Sequence, residues 1–131
     1  MAFCTCLITL ERIIMNKTKM LKKNYEFKKV LSKGKYYSGE NIEAFIVENN
    51  MDINLLGLAV STKIGDAVKR NLIKRLIREN YRNIEDYINC GYSIVFLWKK
   101  KAQIKNATYD NIKNDMYSIF DKAQMLEKED F

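Results

Sequence analysis

Residues 57–82 read GLAVSTKIGDAVKRNLIKRLIRENYR, and here a short apolar run passes through a glycine-bearing turn into a helix with its charges on one side. A helix turns by about 100° per residue. One that begins near Ala67 therefore stacks Arg70, Lys74, Arg78 and Arg82 on a single i,i+4 ladder, with Asn71 and Arg75 beside it. Val68, Leu72, Ile73, Leu76 and Ile77 fall on the opposite half-turn, an apolar stripe able to anchor the helix on a core and interrupted only by Lys69 and Asn80. From Lys63 to Arg82 there are 7 basic residues against 2 acidic ones, Asp66 and Glu79. Like charges four residues apart repel by a few tenths of a kcal/mol per pair, a cost that an external polyanion converts into binding. A merely solvated helix face mixes its signs. Here the cations are mostly arginines, whose planar fork grips phosphate through two hydrogen bonds at once. Asn71, inside the comb, can both donate to and accept from a base edge or a sugar hydroxyl.

Working outward, residues 54–61 (NLLGLAVS) read as a strand apolar enough to be central, preceded by a turn at Asn49, Asn50 and Asp52 and by a strand over Ile42 to Val47. Asn24 is placed to cap a helix over Tyr25 to Lys33, with Phe27, Val30 and Leu31 on one side and Gly34 as a left-handed terminus. After the basic helix, Asn89 and Gly91 break the pattern before a strand over Tyr92 to Trp98. Ile112, Met116, Ile119, Phe120 and Ala123 then form the stripe of a last helix from about Thr108. The expectation is an α+β protein, a small mixed sheet packed with helices in the order α-β-β-β-α-β-α or close to it. Residues 20–124 form its single domain, between a leader over 1–19 and a charged, fraying tail over 125–131.

Composition agrees with a polyanionic partner. The chain has 131 residues, 23 Lys+Arg against 16 Asp+Glu and a net charge of +7. Three cysteines (Cys4, Cys6 and Cys90) make no paired framework and lack zinc-ligand spacing, which fits a reducing cytoplasm and no structural zinc. No basic residue precedes the apolar start MAFCTCLITL, and Glu11 and Arg12 close it, so it is not an export signal. An over-extended start, with Met15 or Met20 as the natural first residue in place of Met1, is the expectation; sequencing the native amino terminus decides it. No run approaches the length of a membrane span.

The stretch quoted above resembles the protein subunit of bacterial ribonuclease P. That family carries a helix of the form AVxRNRxKRxxRExxR behind a strand ending near Ser-x-Lys-x-x-Gly. Ser61, Lys63, Gly65, Ala67, Val68, Arg70, Asn71, Lys74, Arg75, Arg78, Glu79 and Arg82 match it, and the resemblance runs from about Leu21 to about Ala123. Leu72 departs from it, standing where the family usually has a third signature arginine. The resemblance implies a rare left-handed crossover around the basic helix, in a fold similar to a domain of a small-subunit ribosomal protein, where the general rule for βαβ units would give a right-handed one.

It also implies the roles. Arg70, Asn71, Lys74, Arg75 and Arg78 would contact the catalytic ribonuclease P RNA, with Lys63 and Arg82 extending the track. Phe27 and Phe45 would line a cleft for the 5′ leader of precursor tRNA, and Leu31 would occupy a cleft position where an aromatic is common. Tyr36, Tyr37 and Lys35 flank that cleft in sequence as weaker candidates. Without the resemblance, each cleft residue reads first as core. The RNA would hold the Mg2+ and cleave the phosphodiester, while the protein, binding no cofactor of its own, assists removal of the leader. No membrane or DNA partner is implied.

The residues carry no self-contained nuclease. A protein acting alone needs a positioned acid and base or a metal pair held by carboxylates. Histidine is absent, and Glu40, Glu43, Glu48 and Asp52 are the nearest approach to an acidic cluster. No catalytic or metal-binding residue is assigned. The rival reading is a ribosome-associated RNA-binding protein with no part in cleavage, which would sediment with ribosomal particles instead of co-purifying with one abundant structured RNA. A DNA-binding module fits less well, since no turn joins two short helices around the basic one.

Overall fold

The structure, a computed structural model, describes residues 18–126. Its elements are β1 (Thr18–Met20), α1 (Asn24–Lys33), β2 (Lys35–Ser38), β3 (Ile42–Glu48), β4 (Asn54–Ala59), α2 (Ala67–Ile84), β5 (Tyr92–Trp98) and α3 (Tyr109–Lys122). The five strands form one mixed sheet in the order β1-β4-β5-β3-β2. β4 and β5 are parallel neighbours joined through α2, whereas β3 runs antiparallel to both β5 and β2. The α+β class and the place of the basic helix agree with expectation. The order gains a three-residue edge strand, β1, at the end of the stretch read as a leader. Of the candidate first residues, Met1 and Met15 lie outside the described ones, whereas Met20 ends β1.

Alternation along the strands divides the interior into two faces. Ile42, Ala44 and Ile46 of β3, Leu56 and Leu58 of β4, and Ile94, Phe96 and Trp98 of β5 form the larger core with α2 and α3. The intervening Phe45, Leu55, Val95 and Leu97 face α1, which packs on them through Val30 and Phe27. α1 and α2 thus cover opposite faces of the sheet. The last helix buries Ile112, Met116, Ile119 and Phe120 as its stripe required, so Met116 and Phe120 are core.

Three local readings are corrected. Asn24 is the first residue of α1 and not its cap; the first turn is closed from inside, where the Glu26 carboxylate accepts the Lys23 N–H at 3.1 Å. Gly34 is extended (φ −75°, ψ 154°) and not left-handed. It is small because the chain turns straight into β2: a methyl group there would lie 2.6 Å from the Val30 carbonyl oxygen and 3.1 Å from the Ile46 nitrogen. The third concerns the tail, whose first two residues are packed. Met125 is buried, its carbonyl accepts the Asn89 N–H at 2.9 Å, and Leu126 bridges to Ile88. Among the described residues, no helix is long and apolar enough to cross a membrane.

Candidate nucleic-acid interface

Asp66 starts α2, its carboxylate accepting the Lys69 N–H at 3.0 Å. The helix then buries Ile73, Ile77, Asn80, Tyr81 and Ile84. This stripe is narrower than the predicted half-turn and rotated from it. Val68 is 77% exposed and Leu72 37% exposed, so neither anchors the helix. The rotation follows from its neighbours: Asn80 donates to the Tyr109 carbonyl at the start of α3, and Tyr81 reaches the β1–β4 edge, which together set which azimuth faces inward.

The comb survives this rotation. Asn71, Arg75 and Arg82 are exposed, and Arg70, Lys74 and Arg78 are half-buried at its margin. Burying the stem of a long cation while its head stays wet costs little and adds apolar contact; Arg70 goes further, its Nε buried without a hydrogen-bond partner among the described residues. Arg75 has one acidic neighbour, Glu79, at 3.9 Å and one turn on. Lys63 is exposed in the short 3-10 turn Thr62–Ile64, where the Ser61 hydroxyl accepts its N–H at 3.2 Å. The loop that carries it leads from β4 into α2.

The aromatic residues lie on the other face of the sheet. Phe27 lays its ring over β4: a methyl group on Gly57 would come within 2.7 Å of its Cε1 and 2.9 Å of its Cζ. Glycine is thus required beneath the ring. Gly57→Ala is expected to push Phe27 off the sheet and lower stability by about 1–3 kcal/mol, the usual range for overpacking; a denaturant midpoint unchanged from that of the unaltered chain would count against this.

Phe45 is half-buried, and Tyr36, directly opposite it in the β2–β3 register, tilts against it with ring centroids 5.3 Å apart at 56°. Tyr36 is 52% exposed, and its hydroxyl donates to the Glu43 carboxylate at 2.6 Å. That hydrogen bond raises the phenol's pKa above its ordinary value, keeping it a donor. Leu31 is exposed on α1 one turn beyond Phe27. Tyr36 therefore belongs with Phe27, Leu31 and Phe45, whereas Tyr37 points through the sheet toward the larger core. The period of two in a strand separates these tyrosines once β2 is recognised, but a four-residue edge strand gives little signal. Among the described residues, no group of three or more His, Cys, Asp or Glu side chains is arranged to hold a metal ion.

A small α+β protein with a one-sided cationic helix on one face of its sheet and a partly open aromatic surface on the other defines a class: a protein built to hold a polyanion. The comparisons make the class particular. Residues 15–124 match the family model described as Ribonuclease P. The chain is 36% identical over 111 residues to the ribonuclease P protein component of Clostridioides difficile (strain 630), covering 84% of this chain and 96% of that protein. It is 37% identical over 105 residues to that of Thermoanaerobacter sp. (strain X514), covering 80% and 89%. Among solved structures, the Staphylococcus aureus RNase P protein superposes with a TM-score of 0.70 at 30% identity, covering 82% of this chain and 97% of that one. The Thermotoga maritima RNase P protein does so at 0.71 and 25% identity, covering 79% and 96%. The chain belongs to the ribonuclease P protein family.

Proposed function

We propose that this chain is the RNA-binding subunit of a cytoplasmic ribonuclease P holoenzyme, holding the catalytic RNA on the α2 comb and the 5′ leader of precursor tRNA on the Phe27, Leu31, Phe45 and Tyr36 surface. The observation that carries this reading is the segregation of the two surfaces, phosphate-directed cations on one face of the sheet and stackable rings on the other. The RNA supplies the cleavage chemistry, with Mg2+ bound there polarising the scissile phosphodiester. The protein's own residues bind and orient. Arg70, Lys74, Arg75, Arg78, Arg82 and Lys63 neutralise phosphates, Asn71 reads an edge or a sugar hydroxyl, and the rings stack unpaired bases.

The test is cleavage of a 5′-extended precursor tRNA by a bacterial ribonuclease P RNA at low magnesium, with and without the protein. Site-specific cleavage that depends on the protein is the expected result. No stimulation, with RNA binding intact, would favour the ribosome-associated reading. Base–aromatic stacking contributes about 1–3 kcal/mol per base, so Phe45→Ala is expected to weaken binding of leader-bearing precursor about tenfold while leaving the affinity for leaderless tRNA unchanged. An equal loss for both RNAs would remove Phe45 from the leader surface.

A further inference from the structure

Tyr81 is fully buried in the last turn of α2, yet its hydroxyl reaches out of the helix. It lies 2.7 Å from Thr18 Oγ1 on β1 and accepts from Asn54 Nδ2 on β4 at 3.2 Å. Asn54 also donates to the Asn89 carbonyl at 3.2 Å and accepts the Tyr92 N–H at 3.0 Å. Thr18, Asn54 and Tyr81 are 6%, 0% and 0% exposed. Three buried polar side chains are costly unless each is partnered, and here they partner one another.

β1 contributes one half-buried apolar side chain, Met20, to the larger core. It has three residues, pairs with β4 alone and aligns Thr18 with Asn54. Of these residues only Thr18 is buried, and its buried atoms include a hydroxyl. An apolar contact at this place would hold α2 against the sheet without fixing its rotation. Hydrogen bonds are directional, and one that joins the helix to a strand edge sets both its azimuth and its height. Tyr81 sits three residues after Arg78 and directly before Arg82, so whatever fixes its side chain also aims those two cations.

We infer that Thr18 and Tyr81 are positioning residues for RNA binding: the Thr18–Tyr81–Asn54 clasp uses the edge strand to hold the basic helix at the rotation in which its comb meets RNA. This rests on the comb being the RNA-binding surface, and Arg75→Ala separates the two ideas. If that variant binds a bacterial ribonuclease P RNA as tightly as the unaltered chain does, the surface is wrong and the inference falls with it.

With the surface established, the test is the affinity of the full chain for that RNA across a salt series, at a temperature where circular dichroism shows every variant folded. Thr18→Val combined with Tyr81→Phe is expected to bind about fivefold more weakly, the equivalent of one net hydrogen bond. Its slope of log affinity against log salt should also be shallower by about 0.7, one phosphate contact. Thr18→Ser, which keeps the hydroxyl, should retain both. The single variants should each lose nearly as much as the pair, since either breaks the same bond. Unchanged affinity and slope in the double variant, with only its melting point lowered, would make the clasp structural and overturn the inference.

Discussion

Alanine at both Arg75 and Arg78 is expected to flatten the salt dependence of RNA binding by about 1.4 in the log–log slope, since single-stranded phosphates contribute about 0.7 each. The unaltered chain, with about five phosphates on its comb, should lose roughly a hundredfold in affinity between 50 and 200 mM salt. At low salt the double variant should bind weakly, and at high salt the two proteins should converge. The fold should be unaffected. Among the described residues Arg75 makes one ion pair, the 3.9 Å contact to Glu79, between side chains 64% and 44% exposed, and exposed pairs one turn apart contribute about 0.3–0.5 kcal/mol. Removing cations from the ladder also relieves the repulsion among those that remain. A parallel drop at every salt concentration, without a change in slope, would show that these arginines act through something other than phosphate.

Asp115→Ala is expected to be the most destabilising single change away from the apolar core. Asp115 is buried on α3, and its two carboxylate oxygens accept the Glu40 N–H at 3.1 Å and the Asn41 N–H at 2.8 Å, tying the β2–β3 turn to the helix. The turn comes so close that a methyl group on Gly39 would lie 2.9 Å from the Asp115 Cβ. Alanine leaves two backbone donors without acceptors, each costing about 1–3 kcal/mol. A thermal midpoint lower by roughly 10–15 °C is expected for a chain of this size. Asp115→Asn, which keeps one accepting oxygen, should fall between. Because the same hairpin holds Tyr36 against Phe45, leader affinity should fall with it. A midpoint within about 3 °C of the unaltered chain, for a transition of this size, would show that the turn is held by other means.

What could be read along the chain was what local geometry controls. The 3.6-residue period placed α2 from Ala67 and assembled Arg70, Lys74, Arg78 and Arg82 on one side, because a helix determines that arrangement whatever surrounds it. The same holds for β3, β5 and the stripe of α3, where long apolar runs leave little freedom. Short elements were less legible. β1 and β2 have three and four residues, too few for a pattern. The cap of α1 comes from Glu26 inside the helix, and Gly34 is required by a nearby carbonyl and not by its own φ.

The azimuth of α2 was beyond local reading. A helical wheel offers a half-turn of apolar residues, but packing against β4, β1 and α3 selects the arc through Ile73, Ile77 and Tyr81, leaving Val68 and Leu72 in solvent. The separation of Tyr36 from Tyr37 and of the aromatic face from the cationic one follows from strand pairing. Asp115 finds Glu40 across 75 residues, and Thr18 finds Tyr81 across 63. The elements and the charges they carry were thus legible along the chain, since both depend on neighbours a few residues apart. How the helices are rotated and which distant polar groups meet followed from packing alone, because burial selects among faces that are equivalent until the chain closes on itself.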